Sequence, residues 1–162
     1  MISVGDQLPD ATLTLIGDNG PEQVQLSDKL KGRKVVIFAV PGAFTKTCHS
    51  AHVPSFIRTK DQFAAKGVDE IICLAGNDPF VMSIWGDNTG ATEAGITMLS
   101  DADCGFTDAI GMRFDAPEVG LIARSLRYAM LVDDGAVKVL QKEENPGQCE
   151  LSAGEGLLEA MG

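Results

Sequence analysis

Lys34-Val35-Val36-Ile37-Phe38-Ala39-Val40 runs directly into Pro41-Gly42-Ala43-Phe44-Thr45-Lys46-Thr47-Cys48-His49-Ser50-Ala51-His52-Val53-Pro54. After Lys34 the first segment is continuously apolar and rich in β-branched side chains, the pattern of a strand covered on both faces. Pro41-Gly42 ends it. A helical pattern starts within the next few residues and continues to about Lys66, with Gly67 as its C-cap. A strand that needs cover on both faces and feeds a helix predicts an α/β layered fold. The junction also puts Cys48 in the first turn of the helix, at the carboxyl end of the strand, where open α/β sheets gather their ligands.

The flanking sequence agrees with this reading. Thr12-Leu13-Thr14-Leu15 alternates as a half-buried strand and stops at Gly17-Asp18-Asn19-Gly20-Pro21, with Val24-Gln25-Leu26 as a short antiparallel partner. Ser27-Asp28 reads as a charged turn. Glu70 to Ala75 is a second buried strand, and Asn77-Asp78-Pro79 supplies an N-cap and a first-turn proline for a helix through Trp85. Ile96 to Leu99 is too short to assign, and Asp101 to Ile110 reads as a helix. Tyr128 to Val132 and Ala136 to Leu140, joined by Asp133-Asp134-Gly135, form a hairpin. Leu157, Leu158 and Met161 have helical spacing within a closing segment from Ser152 to Met161. The expectation is one mixed central sheet flanked by helices, in a single domain over residues 1–162.

Composition removes several function classes. With 162 residues the chain can build a core without disulfides. Lys plus Arg number 13 against 23 Asp plus Glu, a net charge of −10, which argues against a phosphate-tracking surface and against nucleic acid as a partner. Cys48, Cys73, Cys104 and Cys149 form no CxxC pair, so neither a zinc knuckle nor a thioredoxin-type dithiol is encoded. No apolar stretch approaches the roughly 20 residues of a membrane span. Met1 to Asp6 lacks the basic-then-apolar order of a secretory leader. A cytoplasmic protein with reduced thiols is expected, although an organellar protein with its transit peptide removed would read the same.

A cysteine at a helix start has a physical reason to be reactive, since unpaired backbone N–H groups and the positive end of the helix dipole favour a thiolate. Lowering a thiol pKa from about 8.5 to about 6 takes roughly 3.4 kcal/mol. A helix end supplies at most about 2 kcal/mol. A cation or further donors must supply the rest, and the sequence offers Arg113, Arg124 and Arg127 without choosing among them. Cys48 and His52, four apart, also invite a metal reading, with His49 as a third ligand. No second pair with ligand spacing follows, and His52 is expected instead as a structural side chain with satisfied ring nitrogens. Pro54 is expected to bend the helix near the site.

Pro41, Thr45 and Cys48 match a P-x-x-x-T-x-x-C signature, extended as P-G-A-F-T-x-x-C with His52 and Pro54 following. Together with Asn77-Asp78-Pro79-Phe80-Val81-Met82 and Arg127 to Gly135, these residues resemble the peroxiredoxins, and among them the type II or peroxiredoxin-5-like group. The resemblance spans nearly the whole chain. It implies a thioredoxin fold with an N-terminal extension and a thiol-dependent peroxidase acting on hydrogen peroxide and alkyl hydroperoxides. By the same resemblance Cys48 is the peroxidatic cysteine that becomes a sulfenic acid, and Thr45 hydrogen-bonds between sulfur and peroxide. Pro41 shields the sulfur, Arg127 lies beside it, and backbone N–H groups near Thr47 and Cys48 complete the donors. Because nucleophilicity falls with pKa, such donors to the O–O bond matter more than acidity alone.

No metal or organic cofactor is implied, and a homodimer is. Cys149 is similar in position to a resolving thiol of some members, while others rely on glutathione, glutaredoxin or thioredoxin. His49, where the group usually has Ser or Thr, and Cys104, where Gly or a polar residue is commoner, depart from the pattern. Cys73 and Cys104 read as packed thiols by the general burial preference of free cysteine. Trp85 reads as a core or interface residue, and Glu143-Glu144 as a solvated turn. A peroxide-sensing or chaperone-like interaction protein on the same fold is the alternative from a different class. A general thiol–disulfide oxidoreductase is opposed by the missing CxxC.

Overall fold

The computed structural model describes all residues from Met1 to Gly162. Its centre is β3 (Lys34–Ala39), flanked by the parallel β4 (Glu70–Ala75) on one side and the antiparallel β8 (Tyr128–Asp133) on the other. β1 (Thr12–Gly17), β2 (Gly20–Gln25), β5 (Thr97–Ser100) and β9 (Ala136–Lys142) complete a seven-stranded mixed sheet in the order β2-β1-β5-β4-β3-β8-β9. The expected mixed sheet between helices is therefore present. Ile96 to Leu99, too short to assign from sequence, supplies most of β5.

β3 is buried on both faces because each face meets a separate apolar layer. Val36 and Phe38 point into a cluster with Cys73 of β4 and with Phe56, Phe63, Trp85 and Leu157, carried by helices α2 (Val53–Ala65), α3 (Pro79–Thr89) and α5 (Gly154–Met161). Val35, Ile37 and Ala39 point into the other, with Leu26, Leu30, Phe106, Ile110 and Met130. Each large apolar side chain buried this way contributes about 1.5–3 kcal/mol. Phe38 and Phe56 stack with ring centroids 4.1 Å apart, fixing α2 directly over the strand that leads to Cys48.

Details differ from the sequence reading. Ser27-Asp28, expected as a turn, lies inside α1 (Leu26–Leu30), which buries Leu26 and Leu30 under the sheet. α3 has the expected Asp78 cap, whose carboxylate accepts from Val81 N at 2.9 Å, but runs to Thr89 and stops at the left-handed Gly90. Gly86 permits this extension, because a Cβ there would run into Thr92 and Met98. α4 is only Gly105–Ala109, since Asp101 bonds Phe106 N and Thr107 N from outside and Cys104 turns left-handed at φ 62°. A second, two-stranded sheet, β6 (Arg113–Ala116) with β7 (Leu121–Ser125), stands beside the expected central one and was not anticipated.

Candidate active site

The segment after β3 leaves the sheet through Pro41 to Thr47 and enters a π-helical turn, Cys48–His52, before α2 begins. Val53 N–H reaches back to the Cys48 carbonyl, one residue further than an α-helix would. Pro54 follows immediately and has no N–H to offer, so the wide turn is the form the backbone takes at the expected bend. Both Cys48 and His52 are fully buried by it.

Arg127, immediately before β8 and 2% exposed, faces them. Its Nη2 donates to Cys48 Sγ at 3.0 Å, its Nη1 to His52 Nδ1 at 2.9 Å, and its Nε to the Pro146 carbonyl at 2.9 Å. The guanidinium fork thus reaches three acceptors on two segments. The other two arginines the sequence left open go elsewhere. Arg124 donates to the Pro41 carbonyl at 3.2 Å and Arg113 pairs with Asp115 and Asp108.

Arg127 has no acceptor to offer, so His52 Nδ1 must be the acceptor and Nε2 must carry the proton. Nε2 accordingly donates to the Ser152 carbonyl at 2.9 Å. Burial, with the Arg127 charge adding to it, pushes His52 down to about 3, so the ring is neutral at physiological pH. Both ring nitrogens are satisfied, as the sequence predicts, but one partner is the arginine that touches Cys48, a connection sequence reasoning missed. His49 is exposed, accepts from Trp85 Nε1 at 2.9 Å, and stacks on Phe44 with centroids 5.8 Å apart.

Thr45 Oγ donates to the Gly42 carbonyl at 2.7 Å, which leaves its lone pairs free. Pro41, Thr45, Lys46, Phe114, Leu121 and Arg127 line a cavity of about 200 Å³, together with Thr47 and Pro146-Gly147. Phe114 and Leu121 come from the unanticipated β6–β7 hairpin. Cys48 itself does not line the cavity.

The remaining thiols are apart from this cluster in character. Cys73 is fully buried in β4 opposite Phe38, and burial pushes its thiol well up. Cys104 is also buried. Cys149 is the most exposed of the four yet still half-buried, and burial raises its thiol to about 11. Glu143 corrects the expectation of a solvated turn. It is 4% exposed, and its carboxylate accepts from Glu150 N, Ser152 N and Ser152 Oγ, while Glu144 is exposed.

Residues 3–158 match the Redoxin family. The chain is 45% identical over 164 residues to the rice (Oryza sativa subsp. japonica) protein named Peroxiredoxin-2E-2, chloroplastic, covering 99% of this chain and 72% of the relative. Reduced Prx3 in complex with hydrogen peroxide from Vibrio vulnificus superposes with a TM-score of 0.93 at 43% identity, covering 100% of both chains. Peroxiredoxin 5 from Alvinella pompejana gives 0.85 at 32% identity, covering 99% of this chain and 98% of its own. The sheet order and flanking helices are those of a thioredoxin-like fold, with β1 and β2 as the N-terminal addition. A fully buried cysteine bonded to an arginine, on this fold and in this sequence company, identifies the chain as a member of the Redoxin family and, within it, a peroxiredoxin of the type II, peroxiredoxin-5-like group, a thiol peroxidase.

Proposed function

We propose that the chain reduces hydrogen peroxide and organic hydroperoxides through a sulfenic acid on Cys48, and the observation that carries this is the 3.0 Å contact between Arg127 Nη2 and Cys48 Sγ. The thiolate is the nucleophilic form of a cysteine, and the guanidinium sets a fixed positive charge against this sulfur. The thiolate attacks the terminal oxygen of HO–OR, the S–O bond forms as the O–O bond breaks, and RO⁻ leaves and takes up a proton to give water or an alcohol. The guanidinium stabilises the charge as it moves from sulfur to the leaving oxygen. Thr45, its own proton committed to Gly42, accepts a hydrogen bond from the peroxide hydroxyl, and Pro41 covers the sulfur. The first-turn N–H groups near Thr47 and Cys48 are the further donors. The cavity beside Arg127 has room for more than two oxygens, which supports organic hydroperoxides as substrates.

The sulfenic acid then condenses with a thiol, losing water, and a second thiol reduces the resulting disulfide. We assign the condensing thiol to an external system of the glutathione, glutaredoxin or thioredoxin kind. Cys149 is half-buried and its thiol is raised to about 11, so little of it is the attacking thiolate at neutral pH. It competes only when its loop opens. Four free cysteines suit a reducing compartment, cytoplasmic or organellar alike. Phe80 and Ile84, four apart on α3, are 61% and 57% exposed, and Phe44 packs against Trp85 of the same helix. This apolar face beside the site supports a homodimer.

Mass spectrometry after one equivalent of peroxide tests both halves. A sulfenic acid or external adduct on Cys48 is expected, with all activity absent in Cys48→Ser and full turnover kept in Cys149→Ser. Peroxide consumption unchanged in Cys48→Ser would reject the assignment. Quantitative Cys48–Cys149 linkage would replace the external thiol with an internal one.

A further inference from the structure

Glu143 is a buried carboxylate that the peroxidase chemistry does not use. One oxygen, Oε2, accepts from Glu150 N at 2.9 Å, Ser152 N at 2.7 Å and Ser152 Oγ at 2.5 Å. Burial alone would favour the neutral acid, but these donors outweigh it and hold the carboxyl below its ordinary range, so it is an anion at neutral pH. Three donors converging on one oxygen fix the backbone of residues 150 to 152 to the end of β9. The Glu143 N–H in turn donates to the Arg127 carbonyl at 3.1 Å, so this carboxylate is built directly beside the arginine of the site.

We propose that Glu143 is a positioning residue for Cys48: it holds Ser152 so that the Ser152 carbonyl sets the His52 ring, and the ring sets the Arg127 guanidinium on the sulfur. The polarity of the hydrogen bonds carries the argument. Arg127 Nη1–H can only donate, so His52 Nδ1 accepts; His52 Nε2–H therefore donates to Ser152 O; Ser152 N–H and Oγ–H donate to Glu143. Every donor runs the same way, from a buried cation to a buried anion through neutral groups, and reversing any bond would leave a buried partner unmatched. The rings of Phe38 and Phe56 lie against His52 and offer no competing acceptor. The same loop supplies Pro146 O to Arg127 Nε, so two of the guanidinium's three contacts depend on how residues 145 to 152 are held.

The proposal rests on the peroxidase reading only for its rate measurement, so the test includes readouts that need no peroxide. Full-length reduced protein, wild type and Glu143→Gln, is compared by the ¹⁵N shifts of the His52 ring and by peptide-level mass spectrometry of Cys48 alkylation with iodoacetamide. The wild-type ring should show a protonated Nε2 and a bare Nδ1. Glu143→Gln should lose that single-tautomer signature, and Cys48 alkylation should slow about tenfold, the loss of one charge-assisted hydrogen bond. Hydrogen peroxide oxidation of Cys48 should slow by the same factor. Ser152→Ala, which removes one of the three donors and keeps the backbone bonds, should give a smaller change in the same direction and carries the test should Glu143→Gln not fold. A wild-type ring protonated on Nδ1 would overturn the proposal. So would folded Glu143→Gln with an unchanged tautomer and alkylation rate, for then Glu143 only staples the loop. Absent peroxide reduction alongside the stated tautomer and alkylation changes would instead reject the peroxidase reading and leave the positioning role standing.

Discussion

Replacing Arg127 by Lys keeps the positive charge and removes the fork. The guanidinium uses three different nitrogens for Cys48 Sγ, His52 Nδ1 and Pro146 O. One ammonium, a compact point charge on a flexible and shorter side chain, cannot span three acceptors in those directions. If the sulfur contact is the one lost, the missing charge-assisted hydrogen bond is worth about 1.5–3 kcal/mol, and the attack on peroxide slows roughly ten- to hundredfold. Where the ammonium instead fails to reach His52 Nδ1 and Pro146 O, the fold is affected, each unsatisfied acceptor costing about 1–3 kcal/mol. A total of about 2–6 kcal/mol is survivable within a typical stability of about 5–15 kcal/mol. Stopped-flow measurement of the second-order rate with hydrogen peroxide, alongside urea unfolding of the same sample, separates the two effects. An Arg127→Lys variant that is folded at assay conditions and reacts within twofold of wild type would refute the role given to the guanidinium.

Acid should weaken the fold through His52. Its folded value of about 3 lies below the ordinary 6.5, so between these pH values the unfolded chain binds a proton that the folded chain refuses. The contribution is complete above pH 6.5 and declines by about 1.4 kcal/mol per pH unit as pH falls towards 3, so about 2 kcal/mol is gone by pH 5. Urea unfolding at pH 7 and pH 5 measures this, and the same pH dependence persisting in His52→Asn would exclude His52 as its source. Ile84→Glu on the exposed face of α3 should convert a dimer to monomers in sedimentation velocity while leaving Cys48 oxidation within a few-fold; a monomeric wild type would remove the dimer assignment.

The parts of the molecule set by local pattern were readable, and those set by register were not. β3 and β4 declare themselves because strands buried on both faces must be continuously apolar, as Val35 to Ala39 and Ile71 to Ala75 are. The Asp78–Pro79 helix start is a local capping signal. Arg113 to Ala116 carries no such signal: four residues with one large apolar side chain give too short a period, yet Phe114 from this strand lines the cavity beside Arg127. Phe44 and Ala123 adopt left-handed backbones at φ 64° and 54°, a conformation that neither residue type announces in a sequence. Glu143 and Glu144 are indistinguishable as a pair of adjacent acids in a polar turn. Only the pairing of Tyr128 with Lys142, which carries β9 two residues beyond the expected Leu140, turns Glu143 inward and leaves Glu144 in water.

The choice of Arg127 over Arg113 and Arg124 follows from what each lacks. Arg113 is exposed and saturated by two carboxylates, so its charge is neutralised locally. Arg124 is turned to neutral carbonyl groups of the Pro41 loop and Asn77. Arg127 is fully buried in a chain of net charge −10, yet none of the six ion pairs includes it. An unpaired buried charge costs several kcal/mol. Of its three direct partners, a backbone carbonyl cannot become an anion and a histidine ring held neutral does not. The sulfur alone can. Cys48 Sγ is thus the one direct partner able to take a negative charge opposite the guanidinium, and a carboxylate engineered next to Arg127 should compete for it, raising stability to urea while slowing the stopped-flow reaction with peroxide.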